Sequence, residues 1–87
     1  MRAVVTVIGK DMVGILAKVS GTCAEVNANV IEVTQSVLQE FFAMVMLIDM
    51  AGMNCELGEL QEKLKKNVDG MRIHVMHEDI FNSMHRI

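Results

Sequence analysis

Apolar positions along this chain alternate between two periods. Ala3–Ile8 (AVVTVI) is a short, β-branched, nearly unbroken apolar run, which predicts a strand buried on both faces. Gly9 to Gly14 interrupts it as a loop. From Ile15 the period lengthens: Ile15, Leu16, Val19, Cys23 and Val26 share one helical stripe, with Lys18 and Glu25 off it. That spacing predicts a helix over about 13–27. Asn27 follows the stripe and tolerates the left-handed backbone on which helices end.

Val30–Gln39 alternates in part, with Ile31, Val33 and Val37 on one face and Glu32, Thr34 and Ser36 on the other. This reads as a half-exposed edge strand. Phe41–Met50 is apolar on both faces and belongs at the centre of a sheet, so Gln39 and Glu40 must make the turn between the two. Ala51–Asn54 is a loop with Asn54 as a helix N-cap, and Leu57, Leu60, Leu64 and Val68 stripe a second helix. Glu59 with Lys63 and Glu62 with Lys66 are favourable i,i+4 pairs, and Gly70 ends the helix. Met71–Glu78 alternates again, Met71, Ile73 and Val75 against Arg72, His74 and Met76. The last segment, 79–87, places Ile80, Met84 and Ile87 at helical spacing beside Phe81. A segment that short is not helical alone in water, so it must dock on the sheet or on a partner.

The order is strand, helix, strand, strand, helix, strand. It predicts an α+β, ferredoxin-like βαββαβ sandwich over 1–78, followed by a short C-terminal helix in 79–87. Right-handed crossovers put both helices on one face of an antiparallel sheet of order 4-1-3-2. Strands one and three are then central, as their continuous apolarity requires. A surplus remains. The helices cover one face only, yet the third strand carries Phe42, Met44, Met46 and Ile48 on one face and Phe41, Ala43, Val45 and Leu47 on the other, so a second set of contacts must come from the tail, another subunit, or both.

Composition sharpens this. A chain of 87 residues is one domain and buries only about 60–65% of its unfolded surface. Yet 52% of it is apolar, with nine methionines, so part of that surface is expected to meet another chain, most simply in a homodimer. Three phenylalanines, no tryptophan or tyrosine and a net charge of −3 argue against nucleic acid. The longest apolar stretch, FFAMVMLIDM, is half a membrane span, and the N-terminal run is too short for a signal peptide. A cytoplasmic protein without membrane partners is expected. Cys23 and Cys55 have no CxxC spacing and read as reduced structural thiols.

No catalytic or cofactor pattern emerges. His74 and His77 have opposite parity on their strand, so with His85 they do not predict a metal site. Ser20 and Ser36 lack a histidine–acid pair, and no phosphate loop or dinucleotide fingerprint is present. An enzyme and a bound cofactor are therefore not expected, and the methionines read as adaptable packing.

The first loop is the candidate site. The opening amides of a helix lack internal partners and carry the positive end of its dipole, where a carboxylate fits. Here they come from about Val13, Gly14 and Ile15, next to Met12, and Gly14 permits close approach. Asp11 attracts an ammonium group instead. A ligand carrying both charges is a free α-amino acid. A plain N-cap role for Asp11 explains much of the same pattern. Asn29, expected on the same edge of the sheet, offers a donor and an acceptor, or simply satisfies a turn.

GKDMVGIL, Gly9 to Leu16, resembles the G-x-D-x-x-G-[IL] signature that opens many ACT domains. NANVIE, Asn27 to Glu32, resembles their G-x-N-I segment, and the tail HEDIFNSMHRI is similar to that of small stand-alone ACT proteins of unassigned role. The resemblance implies a regulatory amino-acid-binding module that pairs or stacks, with ligand at the subunit interface near the first loop. On matching positions it implies Asp11, Gly14 and Asn29 as contacts, with amides from Val13 and Ile15. The chain departs from the family at Met12-Val13, where many members carry Arg-Pro, and at Asn27, where glycine is usual. A ligand-free module that regulates a protein partner through the apolar sheet face or the tail is the alternative.

Overall fold

The structure, a computed structural model, describes residues 1–10 and 12–84. Its elements are β1 (Arg2–Lys10), α1 (Ile15–Glu25), β2 (Asn29–Leu38), β3 (Phe41–Asp49), α2 (Leu57–Asn67), β4 (Met71–His77) and α3 (Glu78–Met84). The strands form one antiparallel-paired sheet of order β2-β3-β1-β4, the expected 4-1-3-2 seen from the other edge. β1 and β3 are central because both of their faces are apolar. Val5, opposite Met46 and Val75, sits at the middle of the core.

α1 and α2 cover the face that carries Phe42, Met44, Met46 and Ile48, all buried. Val19 and Cys23 from α1 and Leu60 and Leu64 from α2 close the core over it. Between the helices, the Asn67 side-chain amide donates to the Thr22 hydroxyl at 2.9 Å, and that hydroxyl donates to the Lys18 carbonyl at 2.8 Å. Thr22 is buried, and this pairing is what satisfies it there.

Four local expectations need correction. α1 is shorter than 13–27, because Gly14 at φ 84 is its N-cap and Val26 its C-cap, and Leu16 at the rim of the stripe stays 40% exposed. Asn54 is not the cap of α2; that position is Glu56, while the Asn54 amide donates to the Val26 carbonyl and fastens the loop to α1. Ile31 does not share a face with Val33. A bulge between Val30 and Glu32 inserts Ile31 as an extra residue, so Val30 and Val33 both pack on the core and Ile31 is 46% exposed. The tail helix begins at Glu78 rather than 79, and Ile87 and His85 lie outside the described residues.

Two non-glycine positions take the left-handed backbone, the first as its residue type suggests and the second, a glutamine, against it. Asn27 ends α1 at φ 61, and Gln39 opens the two-residue turn between Leu38 and Phe41 at φ 57. α3 lies against β1 and β4 on the face away from α1 and α2. Its first residue is clamped there: the Arg2 guanidinium reaches Glu78 at 2.7 Å to Oε2 and 2.9 Å to Oε1. The rest of that face stays open, with Ile8, Phe41 and Val45 exposed.

The first strand–helix loop as a candidate ligand site

β1 runs out at Lys10, and Asp11 lies outside the described residues. Met12 and Val13 then lead to α1, Met12 46% and Val13 98% exposed. Gly14 turns the chain into α1 through a left-handed conformation, and a Cβ placed on it would meet nothing within 4 Å. The first helical bond runs from the Lys18 amide to the Gly14 carbonyl at 3.0 Å. The amides of Ile15, Leu16 and Ala17 precede that bond and have no helical acceptor. Among the described residues no side chain caps them, and the first turn holds no acid. Ile15 is 3% exposed and packs in the core, so it can offer a ligand only its backbone.

Asn29 is elsewhere, contrary to the expectation that it shares an edge with the loop. It pairs with Asp49, which pairs with Arg2, the start of β1. The loop follows Lys10, which pairs with Phe41 and so lies beside Leu38, the end of β2. The reason is the crossover: β1 and β2 point the same way, so α1 carries the chain back across the sheet before β2 begins. At about 3.3 Å per residue, a nine-residue strand separates the two by roughly 25–30 Å. One chain brings Met12, Val13, Gly14 and Ile15 together and leaves Asn29 at the far end.

Asn27, by contrast, has a structural task that sequence reading assigned only to its backbone. Its side-chain amide donates to the Gly52 carbonyl at 2.8 Å, and Gly52 leaves room for it. A short glycine-bearing loop facing a helix end was the available signal.

The remaining titratable groups give no reactive centre. Burial pushes the Cys23 thiol up to about 11, and the Cys55 thiol is raised by burial first and then by the Glu59 and Glu56 carboxylates, against the pull of Lys63. Thiolates are thereby disfavoured at both positions. His74 lies opposite Thr6 and His77 opposite Ala3, hence on different faces of the sheet. Among the described residues no three histidine, cysteine or acidic side chains converge for a metal ion. No helix there is long and apolar enough to cross a membrane.

The family model for the ACT domain matches residues 2–78. The chain belongs to the ACT-domain family. ACT domains generally bind small ligands such as amino acids within regulatory proteins. This ACT chain is 47% identical over 88 residues to a UPF0237 protein of Methanopyrus kandleri, covering 99% of this chain and 98% of the relative. It is 45% identical over 92 residues to a UPF0237 protein of Clostridium perfringens, covering both chains completely. Among solved structures it is similar to an ACT domain protein from Streptococcus pneumoniae, with TM-score 0.76, 31% identity and 98% of each chain covered. A formyltetrahydrofolate deformylase from Pseudomonas putida shares the fold at TM-score 0.79 and 13% identity, over 91% of this chain and 29% of that one.

Proposed function

We propose that this ACT protein is a regulatory amino-acid sensor that works as a homo-oligomer, at minimum a dimer, with the ligand held between copies at the first loop. The observation that carries this reading is the bare start of α1. Gly14 holds the N-cap position, no described side chain caps the amides behind it, and the space around it is open. An α-carboxylate accepts from those amides, and Asp11, three residues ahead of the cap, supplies the counter-charge for the α-ammonium. The N-cap position itself belongs to Gly14.

The separation of Asn29 from the loop supports a shared site. A ligand that touches Asn29 and Gly14 together must bridge two chains. Binding across copies couples occupancy to assembly: the ligand favours the assembled state by its differential affinity for it. Met12, Val13 and Leu16 add exposed apolar surface around the loop for such a contact.

Isothermal calorimetry of the full chain against the common amino acids tests the reading. One or a few should give saturable heat and a raised melting temperature, both lost in Asp11→Ala. Sedimentation should show a larger species with ligand. No heat and no thermal shift with any amino acid would overturn it.

A further inference from the structure

We propose that the open face of the sheet carries a second ligand site, a trough that takes a small amphiphile with an apolar body and a single acidic head. The trough lies on the side of the sheet away from α1 and α2. Its floor is Thr6 and Ile8 of β1 with Ala43 and Val45 of β3, and α3 stands along it as a wall through Phe81 and Met84. Its volume is about 550 Å³, within the range of small-molecule sites. The floor and wall are almost wholly apolar, which suits a hydrocarbon or aromatic body. The thioethers of Met76 and Met84 adapt to its shape.

Polarity enters at one border. Thr6 and His74 are direct cross-strand partners and both line the trough. Two residues along β4 from His74, on the same face, Arg72 stands opposite Ile8. The hydroxyl and the imidazole thus stand at this border of the trough, and Arg72 lines the adjoining hollow with Lys65 and Asp69. Glu32, on β2, is on the far edge strand, and Glu78 is already held by Arg2. A head group that accepts hydrogen bonds is matched by Thr6 and His74, and two cations, Lys65 and Arg72, against one carboxylate, Asp69, in the adjoining hollow favour a negative one.

The shape selects a small molecule over a second copy of the chain. α3 rises from the same face, and a helix is about 10 Å across. A flat partner sheet would rest on that ridge and on exposed Ile80 before reaching Thr6. A small molecule slides beneath it. The site is independent of the amino-acid reading, since it lies on the open face of the sheet and prefers a different ligand class.

The test uses the full chain with octanoate, 1-octanol and octylamine as probes, followed by calorimetry and by amide NMR shifts. Octanoate should bind saturably, one per chain, more tightly than octanol and octylamine. The shifts should centre on Thr6, Ala43, Val45 and His74 and spare Met12 to Ile15. Ala43→Trp, which fills the floor, should weaken octanoate by about tenfold or more, with circular dichroism reporting retained fold. Arg72→Gln with His74→Ala should weaken octanoate several-fold and leave octanol unchanged. Because the shift map needs no variant, it stands even if Ala43→Trp fails to fold. Unsaturable octanoate binding, or shifts spread away from the trough, would overturn the proposal. So would sedimentation showing a dimer that Ala43→Trp dissociates, because a second copy would then fill the space.

Discussion

The side-chain amide of Asn27 donates across 2.8 Å to the carbonyl of Gly52, joining the end of α1 to the loop after β3. Asn27 is held at φ 61 to make that reach, and a Cβ on Gly52 would come within 2.9 Å of its side-chain nitrogen. The two residues are shaped for each other. Asn27→Gly keeps the left-handed backbone and loses the hydrogen bond, whereas Asn27→Ala loses both. Urea unfolding should rank them, with Asn27→Ala costing about 1–2 kcal/mol and Asn27→Gly less. Equal losses would show that the backbone conformation contributes nothing.

Gly14 separates binding from stability. Its φ of 84 disfavours any Cβ, while the space around it would accept one. Gly14→Ala should cost about 1 kcal/mol in unfolding free energy from backbone strain alone. It should also weaken any amino acid that approaches the α1 amides, because the added methyl stands in the ligand's path. Comparing the melting temperature with and without saturating ligand measures both effects on one sample.

The Arg2–Glu78 pair should matter locally and hardly at all globally. Both side chains are partly exposed, so Glu78→Gln should change the unfolding free energy by less than about 1 kcal/mol. Amide exchange within α3 should nonetheless speed up, since this pair clamps the helix's first residue to β1. Molar salt should reproduce that acceleration in the unmutated chain.

Cys23 predicts a limit on alkaline stability. Its thiol is held near 11 when folded against an ordinary value of 9.0, so the folded chain keeps the proton that the unfolded chain releases. The stabilisation is fully present below about pH 9 and is lost as pH rises from there toward 11. Urea midpoints should therefore fall over that interval, by at most about 1.4 kcal/mol per pH unit from this group. Cys23→Ala, although destabilised by its cavity, should lack that slope. At neutral pH a thiol reagent should reach half-buried Cys55 in the native chain and Cys23 only on unfolding.

Much of the architecture is legible in particular residues. Nearly unbroken apolarity in Ala3–Ile8 and an unbroken run in Phe41–Ile48 demand cover on both faces, which forces those strands to the centre. The stripe at Leu57, Leu60 and Leu64 has one helical reading. What escapes the sequence depends on pairing across the chain. Val30-Ile31-Glu32-Val33 fits either alternation until its partners on β3 place the extra residue at Ile31. Thr22 shows as a polar residue beside the α1 stripe, and only the arrival of Asn67 from α2 explains its burial. Asn29 is the instructive failure at the site. The motif around it is local and readable, whereas its distance from Gly14 follows from strand direction, which belongs to the whole topology. The trough beneath α3 is likewise invisible in one dimension, because Thr6, Ala43, His74 and Met84 meet only after folding.

The Gln61 side chain of α2 accepts the Val75 amide of β4 at 2.9 Å. That amide sits on an outer strand, where it would otherwise invite a stranger's backbone. Endless ribbon growth needs two adhesive borders per molecule, and here α2 has taken one donor of one border out of circulation. If copies join edge to edge, β4 offers a partner strand one donor fewer.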